Sequence, residues 1–423
     1  MKKVLIITYY WPPGSGAGVQ RWVKLSKYLA ELGVETHVLT VRAEQASYPL
    51  RDQSLLNEVG EKVIVHTCET REWFSAYAKI SKGGSIPFAG FAGEAKPSAF
   101  QKLSRFIRGN FFIPDPRKGW NQYALREAEG LIRKHRIQTV ITTSPPHSTQ
   151  LVGLALKKKL NVCWIADLRD PWTDIYYYKQ FYHLPLAAAI DSRYERRVLE
   201  NADRIVVVSH DMKRLFLGKS AKIEPSRVNV LPNGFDESDF NQHSTETQQG
   251  EFSIVYTGTL TAAYPLEALV TILRESVSKH PLKLEFTGSV SHHALEPLKA
   301  ILGDKLSLRG HVSHAQAVET MMNAGILLLL IPRTNDNKGI LTGKIFEYLR
   351  SGKPSLGIGP ADGDAAAILS ETGAGKMFDP DDKDGIKGFV QQTLSGQLPP
   401  RNIKAIEAYS RSEQAKQLQH WIL

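Results

Sequence analysis

A lysine and a glutamate lie three residues apart where the sequence predicts the first turns of a helix. The stretch is GILTGKIFEYLRSGKP, residues 339–354, and helical spacing puts Lys344 and Glu347 on one face. The opposite face carries apolar residues that we expect in the core: Ile345, Phe346 and Leu349. An exposed pair of this kind contributes only ~0–1 kcal/mol to stability, so stability alone is a weak reason for the pairing.

The residues at the start of this helix form a potential site for an anion. Backbone amides at a helix start lack intrahelical acceptors, and that end of the helix carries roughly +0.5 of a charge. We expect a diphosphate to bind there and Lys344 to neutralise it as a point charge. Glu347, one turn further along, can accept hydrogen bonds from the two hydroxyls of a ribose. The amides predicted to line the site belong to Gly339, Ile340, Leu341, Thr342 and Gly343.

The elements that position these residues follow a repeated pattern of strand, turn and helix. KVLIITYY, near the start of the chain, is a continuous apolar run of the kind that forms a parallel strand covered on both faces. A second series of strands and helices begins at FSIVYTG, after the polar stretch NQHSTETQQG at 241–250. Two such series predict an α/β protein with two Rossmann-like, doubly wound domains that face each other across a cleft.

The predicted domain boundaries are residues 1–225 for the first domain and 226–402 for the second. The remaining residues, 403–423, contain Ser410 and Glu413 at capping-box spacing, followed by an apolar stripe. We expect this last helix to cross back onto the first domain. Ligands of open α/β sheets bind beyond the carboxyl ends of strands, so the candidate turns follow IITYY, VITTS, CWIAD, IVYTG, EFTG and LLLIP.

Length and composition fit a two-domain globular protein. The chain has 423 residues, 42% hydrophobic and 23% charged, which is ordinary composition at a length beyond one core. Cys68 and Cys163 are too few for a disulfide framework, which fits a cytoplasmic location. No run of ~18 apolar residues predicts a membrane-spanning helix, and MKKVLIITYYWPPGSG favours a buried strand over a signal peptide.

Positive charge is concentrated in one part of the sequence. The net charge is +10, and residues 76–160 contain fifteen Lys and Arg against four Asp and Glu. Within an aromatic-rich excursion predicted at about 70–120, SAFQKLSRFIRGNFFIP interleaves cations with apolar residues, which suits an anionic membrane surface. A solvated helix with one buried face is the other interpretation. Nucleic acid is not expected as a partner, because no DNA- or RNA-binding signature accompanies the charge.

Several motifs occur in an order that resembles a known family. ADRIVVVS, VNVLPNGFD, YTG and GKIFEYLRSGKP together resemble retaining glycosyltransferases of the GT-B fold, in family four, and ITTSPPHST with IADLRDPW resembles its bacterial surface-polysaccharide branch. The resemblance implies an N-terminal acceptor domain, a C-terminal domain that binds a nucleotide sugar, and no required metal or cofactor. It implies transfer of a hexosyl or N-acetylhexosaminyl group, from a UDP-sugar on family frequency, to a glycan or lipid-linked acceptor. The protein is then expected in the cytoplasm, peripheral to the membrane.

The resemblance also assigns roles to individual residues. Glu347 matches the second glutamate of the family's paired-glutamate motif, which holds the ribose, and Lys344 is expected to contact the diphosphate. Donor contacts are also expected from glycines in two turns: Gly14, Gly16, Gly18 and Gly258.

Two departures from the family pattern concern the donor site. The first glutamate should stand eight positions before the second, where this sequence has Gly339, so Asp336, Asn337 or a backbone amide must substitute. The cations that usually follow the GxL turn are missing from TGTLTAAYPLEAL, and Arg333 and Lys338 are the nearest replacements.

Polar residues near other strand ends are candidates for catalysis or substrate binding. His147 in SPPHST is expected to contact the donor sugar or assist the acceptor, as a catalytic residue. In ADLRDPW, Asp167 and Arg169 are expected to orient acceptor hydroxyls and Asp170 to take part in catalysis, the alternative being a structural ion-pair network. Arg21 is expected to face the donor phosphates or water.

Alternative functions come from different classes. A sugar-nucleotide epimerase of the same fold would convert the donor without an acceptor, and a non-catalytic sugar-nucleotide-binding scaffold would leave it unchanged. A nicotinamide oxidoreductase is disfavoured because GSGAGVQ lacks the third glycine of G-x-G-x-x-G. A metal enzyme is disfavoured because His311 and His314 have no acidic or cysteine companions at ligand spacing, and both are expected to be ordinary loop histidines.

Overall fold

The structure is a computed structural model, and it describes residues 1–71, 98–241, 252–261, 264–265, 282–334 and 336–423. The chain divides into two compact units: unit 1, Met1–Pro232 with Arg411–Leu423, and unit 2, Asn233–Ser410. Most of the polar stretch predicted as a junction loop and the helix predicted from Leu266 lie outside the described residues, as does part of the predicted aromatic excursion.

The strands of unit 1 form a seven-stranded parallel sheet in the order β3-β2-β1-β4-β5-β6-β7. They are β1 Lys3–Ile7, β2 Glu35–Val41, β3 Ile64–Cys68, β4 Thr139–Ser144, β5 Cys163–Leu168, β6 Arg204–Val207 and β7 Val228–Val230. The direction of strand order reverses between β1 and β4, as in a doubly wound sheet. The central strands are buried on both faces because helices cover them on each side, which explains their nearly continuous apolar sequences.

The described helices of unit 1 that precede Pro232 lie between successive strands of its sheet. They are α1 Ala17–Glu31, α2 Ala99–Phe111, α3 Asn121–His135, α4 Ser148–Leu160, α5 Pro185–Asn201 and α6 His210–Leu217. Short 3₁₀ helices occupy Gln53–Glu58, Pro116–Trp120, Trp172–Asp174, Tyr178–Phe181 and Pro225–Arg227. The predicted first helix, Val19 to Leu32, begins two residues earlier than expected, and Gly33 follows it with a φ of 83° that favours glycine.

Unit 2 contains a six-stranded parallel sheet in the order β10-β9-β8-β11-β12-β13. The strands are β8 Phe252–Thr257, β9 Leu282–Thr287, β10 Leu306–Gly310, β11 Ile326–Leu330, β12 Ser355–Ile358 and β13 Gly375–Phe378. The described helices are α7 His292–Leu302, α8 His314–Met322, α9 Gly343–Ser351, α10 Asp364–Thr372, α11 Lys383–Leu394 and α12 Ile403–Glu407. Two further 3₁₀ turns lie at Glu237–Asp239 and Gly303–Lys305. The ILLLL sequence of β11 is buried at every position.

The last helix, α13 Arg411–Trp421, belongs to unit 1 and packs on α1. Its apolar stripe is buried at Ala415, Leu418 and the following Ile422. Two polar contacts fix it further, because Gln414 donates to the carbonyl of Pro232 and Gln419 to that of Leu32. Ser410 stands immediately before the first helical residue, at the position of a cap.

Three strands were not foreseen, and one of them affects the division between the units. β3 lies at the sheet edge and is buried only at Cys68, and β13 is short, so neither is a strong apolar run. β7 pairs with β6 and completes the sheet of unit 1, whereas the predicted boundary after residue 225 assigned it to the second domain. The chain therefore passes from unit 1 to unit 2 after Pro232.

Candidate functional site

The start of α9, in unit 2, has the features of an anion site. Thr342 is its N-cap residue, and its hydroxyl is buried without a hydrogen-bond partner among the described residues. The amides of Gly343 and Lys344 stand in the first turn, where a helix supplies no acceptor. The amide of Ile340 differs from the expectation, because it donates to the carbonyl of Asn337 in a turn. The amides available to an anion are therefore fewer than the predicted set from Gly339 to Gly343.

Lys344 is half-buried in the first turn of α9, next to a tyrosine of β8. Its Nζ donates to the hydroxyl of Tyr256 at 2.7 Å and lies 3.9 Å from the centre of that ring. Burial lowers the pKa of Lys344 from its ordinary 10.5 to about 7, and the carboxylate of Glu347 opposes this shift. An anion bound beside the amine would favour its charged form.

Two glycines at the ends of neighbouring strands allow close packing beside Lys344: Gly258 leaves room for the lysine side chain, and Gly288 leaves room for the backbone of Gly258. Gly258, after β8, has a φ of 111°, and a Cβ atom there would lie 2.7 Å from Cε of Lys344. Gly288, after β9, has a φ of 125°, and a Cβ atom there would lie 2.3 Å from the carbonyl oxygen of Gly258. Position 258 in the YTG motif therefore requires glycine, because any larger side chain would collide with Lys344.

Glu347 lies one turn after Lys344, on the same face, and is partly exposed. Its Oε1 is 3.8 Å from Nε2 of His314, which also lies 3.4 Å from Asp239. His314 is the first residue of α8, so the expectation of a loop histidine is corrected: Ser313 caps this helix in a capping box with Gln316. The acidic neighbours of His314 come from other elements, which is why its local sequence did not predict them.

The other side chains predicted for the donor site in unit 2 lie in the segment between β11 and α9. Arg333 is exposed in the segment after β11, and Lys338 forms an ion pair with Asp362. Asp336, one candidate for the role of the missing glutamate, has a left-handed backbone with a φ of 57°. Ile340 and Leu341 pack partly against the apolar core beneath α9. The core residues predicted on α9 are confirmed, since Ile345, Phe346 and Leu349 are fully buried.

Two loops lie together at the carboxyl edge of the unit 1 sheet, the one after β1 and the one after β5. Gly16 precedes α1 with a φ of 122°, which favours glycine. A Cβ atom on Gly18 would lie 1.9 Å from the guanidinium of Arg169, after β5, and one on Gly14 would lie 2.9 Å from the carbonyl of Trp11. The predicted glycine loop therefore packs against the predicted acceptor-binding arginine, and small residues are required there.

Arg21 and Asp167 form a network inside unit 1. Both side chains are buried, and Nη2 of Arg21 lies 3.2 Å from Oδ1 of Asp167. Asp167 also accepts hydrogen bonds from Trp22 and Thr143, at 2.9 and 2.7 Å. Arg21 further donates to two backbone carbonyls near the end of unit 1, those of Leu231 and Pro232. Neither side chain reaches solvent, so Arg21 faces neither a donor phosphate nor water, and Asp167 belongs to the structural ion-pair network that was the alternative expectation.

His147 and Asp170 are half-buried at the same edge. The ring of His147 stacks on Trp172, with centroids 4.7 Å apart and an angle of 14°. Burial and the neighbouring Arg169 lower the pKa of His147 to about 3, so its ring is neutral at pH 7. Burial raises the pKa of Asp170, and Arg169 opposes that shift. His147 can thus take part in hydrogen bonds but does not supply a positive charge.

A pocket beside His147 was missed by the sequence analysis. It has a volume of about 170 Å³, and aromatic rings dominate its lining: Tyr10, Trp172, Tyr177, Tyr178 and Phe181. Charged groups also face it, from Asp115, Arg108, Arg117 and Asp191. Asp191 accepts hydrogen bonds from Trp172 and Tyr178, and burial raises its pKa to about 6. The aromatic run DIYYYKQFYH at 174–183 is the sequence signal that could have indicated this pocket.

Among the residues that the structure describes, no helix combines the length and the apolar character needed to cross a bilayer.

The fold and its two sites define a class of protein. Two doubly wound α/β units, one with an anion site at a helix start and one with an aromatic pocket at its strand ends, have the architecture of GT-B enzymes. Residues 17–239 match the family described as Glycosyltransferase Family 4, and the chain belongs to that family. It is a glycosyltransferase, and the predicted fold class is confirmed.

Solved structures with this fold align along nearly the whole chain. The lipopolysaccharide outer core galactosyltransferase WaaB is 13% identical with a TM-score of 0.57, covering 99% of this chain and 98% of that one. Anabaena Alr3699/HepE in complex with UDP-glucose is 11% identical with a TM-score of 0.58, covering 99% of each chain. A candidate UDP-N-acetylglucosamine 2-epimerase from Listeria monocytogenes is 11% identical with a TM-score of 0.51, covering 98% and 94%. The comparison with curated proteins gave no match.

Proposed function

We propose that this enzyme transfers a sugar from a nucleoside-diphosphate sugar to a hydroxyl of a glycan or lipid-linked acceptor, with retention of anomeric configuration. The observation that carries the proposal is the position of Lys344, half-buried beside the first-turn amides of α9 and held by Tyr256. These groups match the charge of a diphosphate. A UDP-sugar is the proposed donor, because the HepE structure with the same fold contains UDP-glucose.

The chemistry requires charge to be stabilised as the donor breaks. The bond between the anomeric carbon and the diphosphate oxygen breaks, and a new bond forms from that carbon to the acceptor oxygen. The leaving phosphate oxygen takes the proton of the acceptor hydroxyl, so no carboxylate nucleophile is needed. Negative charge grows on the diphosphate during this step, and groups preorganised at that point supply the main catalytic effect. Lys344 and the α9 amides are the groups of this chain proposed for that task.

Glu347 is proposed to hold the ribose of the donor. Its carboxylate is partly exposed one turn beyond Lys344, and His314 lies close enough to restrict its orientation. A carboxylate accepts hydrogen bonds from both vicinal hydroxyls, whereas a deoxyribose offers one fewer donor. We expect Glu347→Gln to raise the KM for the donor more than it lowers kcat. An unchanged KM would reject the ribose role.

Replacement of Lys344 by methionine tests the proposal directly. Methionine keeps apolar contact with Tyr256 but removes the charge, and a hydrogen bond to a charged group contributes ~1.5–3 kcal/mol. We therefore expect kcat/KM for sugar transfer to fall roughly ten- to two-hundredfold. Lys376→Met is the matched control, because that lysine also stands over a ring, 5.1 Å from the centre of Phe378, but is exposed on β13. Equal rates for both variants would contradict the proposal.

The pocket beside His147 is proposed as the acceptor site. Flat aromatic rings suit the apolar faces of sugar rings, and charged groups around them suit hydroxyls or a phosphate. His147 remains neutral at pH 7 and can orient an acceptor hydroxyl by hydrogen bonding. We propose His147 and Asp170 as the groups of unit 1 that assist the acceptor.

An exposed apolar and basic surface next to this pocket supports the proposal of a lipid-linked acceptor. Gly109 and Asn110 at the end of α2 hold it to residues 181–184: a Cβ on Gly109 would lie 2.6 Å from the carbonyl oxygen of Phe181, and Asn110 bonds to Tyr182 and Leu184. Large apolar side chains are exposed on α2, on α5 and at the residue before α5: Phe100, Leu103, Phe111, Leu184, Leu186 and Ile190. Exposed cations accompany them at Lys102, Lys179 and Arg193. Such a surface suits anionic lipid headgroups, so we propose a peripheral location at the membrane and a role in surface-glycan synthesis.

Co-sedimentation with vesicles tests this surface. We expect binding to vesicles that contain anionic lipid at low salt, weaker binding at high salt, and loss of binding in the double variant Phe100→Glu with Leu103→Glu. Ile403→Glu is the control, because that residue is 58% exposed on α12 of unit 2. No vesicle binding at low salt, or an equal loss in the control, would reject the membrane location.

The epimerase and scaffold alternatives predict different fates for the sugar nucleotide. An epimerase would convert the sugar nucleotide without an acceptor, and the Listeria structure with this fold is the observation that keeps it as a second candidate. A scaffold would bind the nucleotide and leave it intact. Chromatography with mass spectrometry of the sugar nucleotide, with and without a lipid-linked acceptor, separates the three: transfer requires product that carries both sugar and acceptor.

A further inference from the structure

Three histidines and a glutamate lie together on one face of the unit 1 sheet. Glu35 and His37 are two residues apart on β2 and share that face, and the parallel register pairs His66 of β3 with Leu39. His135, the last residue of α3, lies over the same face because α3 packs on β2 and β3. The four side chains therefore come from three separate elements.

The distances within the cluster match the size of a metal ion. His37 Nε2 is 3.0 Å from Glu35 Oε1. Ligand atoms from Glu35, His37 and His135 all lie within 4.8 Å of one another. A tetrahedral zinc ion with bonds of ~2.0–2.1 Å holds its ligand atoms ~3.3 Å apart. Small side-chain rotations thus bring the three atoms onto one ion.

His135 supplies an independent indication of a ligand. Its Nε2 is buried and has no hydrogen-bond partner in the described part of the chain. Its ring stands 4.5 Å from the ring of His37, centre to centre. A buried ring nitrogen without a partner is unfavourable, and a metal ion at the centre of the cluster would give this nitrogen one.

His66 contacts His37 on the side away from Glu35. His37 Nδ1 lies 2.9 Å from Nε2 of His66. A zinc ion bound by both His37 and Glu35 requires the tautomer of His37 with its proton on Nδ1, in which Nδ1 donates to His66 and the lone pair of Nε2 is available to the ion. Ligating histidines are commonly held by such a second hydrogen bond. His37 is completely buried, which further fixes its ring.

We propose that Glu35, His37 and His135 bind a divalent transition-metal ion, zinc by ligand chemistry, and that His66 positions His37. Two imidazoles and one carboxylate favour zinc over magnesium or calcium, which prefer oxygen ligands alone. Glu35 begins β2, at the amino edge of the parallel sheet, whereas the loops that carry His147 and Arg169 leave the carboxyl edge. The ion therefore joins β2 to α3, with His66 of β3 bound to His37, and has a structural role that is separate from sugar transfer.

Lys3 provides a test of opposite sign. Its Nζ lies 3.0 Å from an oxygen of Glu35, in an ion pair with the carboxylate that the metal would use. A lysine and a cation compete for this carboxylate and repel each other. Lys3→Met should therefore tighten zinc binding about three- to tenfold, whereas the loss of a ligand should weaken it.

The experiment uses the full chain without an affinity tag, stripped of metal with a chelator and titrated with zinc chloride by calorimetry. We expect one equivalent of zinc to bind, His135→Gln to weaken binding at least about tenfold, and His66→Gln to weaken it about tenfold without changing the stoichiometry. His210→Gln, an exposed histidine on α6 of unit 1, is the control and should bind as the wild type does. Cobalt should give the absorption of a tetrahedral site in the wild type.

Folding of each metal-free variant is checked by circular dichroism and thermal melting before titration. Zinc should raise the Tm of the wild type and of His210→Gln, and fail to raise that of His135→Gln. If His135→Gln does not fold, His66→Gln and Lys3→Met decide the matter by their opposite effects on affinity. No zinc binding by the wild type, or unchanged affinity in these variants, would overturn the proposal.

Discussion

Donor binding should depend on pH through Lys344. The pKa of this amine in the free protein is lowered to about 7 by burial, so about half of the molecules carry the charge at pH 7. If only the charged form binds a diphosphate, affinity follows the charged fraction. That fraction falls about tenfold from pH 6 to pH 8, and about a hundredfold from pH 6 to pH 9. Binding at pH 8 should take up about 0.9 of a proton.

Calorimetry with UDP-glucose measures both effects, because a sugar-diphosphate has no phosphate that titrates near pH 7. Titrations in buffers with different ionisation enthalpies give the proton uptake, and titrations across pH 6–9 give the slope of affinity. Lys344→Arg keeps its charge throughout this range and should remove the slope. Lys344→Met should bind weakly and with no slope. A wild-type affinity that is flat from pH 6 to pH 9, or a Lys344→Met variant with the wild-type slope, would refute the reasoning.

The same lysine affects stability with a definite sign. Its folded pKa, about 7, lies below its ordinary 10.5, so the unfolded chain holds more protons between these values. Stability of the ligand-free protein should therefore rise as pH increases through this window. Lys344→Met should remove this dependence and raise the Tm at pH 7 while it lowers activity, as expected when a strained group serves function.

Two further variants test the local packing. Gly258→Ala would force alanine to adopt a φ of 111° and would place its Cβ 2.7 Å from Cε of Lys344, so we expect a lower kcat/KM and a lower Tm. Gly388→Ala on α11 is the control, because no atom lies near a Cβ at that position, and it should leave activity unchanged. Asp167→Asn would leave the buried charge of Arg21 without its partner, so we expect a loss of about 3–5 kcal/mol in the free energy of unfolding by urea; a variant of wild-type stability with a raised acceptor KM would instead restore the acceptor-binding role.

The sequence was most informative where one element decides the outcome. Continuous apolar runs such as ILLLL of β11 predicted buried parallel strands, and the spacing of Ile345, Phe346 and Leu349 predicted the core face of α9. The pairing of Lys344 and Glu347 on the other face follows from helical periodicity alone. Such features depend on local geometry, so they can be predicted without knowledge of the fold.

Features that depend on packing between distant elements could not be predicted. The pocket beside His147 brings together residues 10 to 191, and the burial of Arg21 follows from its pairing with Asp167, 146 positions later. His314 gains its acidic neighbours from elements before and after it. The cluster around His37 needs two strands and a helix to meet. In each case the residue type was visible in the sequence, but its partners were not.

A crystal structure of the enzyme with UDP-glucose is the most direct test of the account. We expect the diphosphate within ~2.7–2.9 Å of Nζ of Lys344, its oxygens near the amides of Gly343 and Lys344, and both ribose hydroxyls on Glu347. A nucleotide bound elsewhere would contradict the account. So would a diphosphate that does not contact Lys344 and leaves the hydrogen bond from Lys344 to Tyr256 intact.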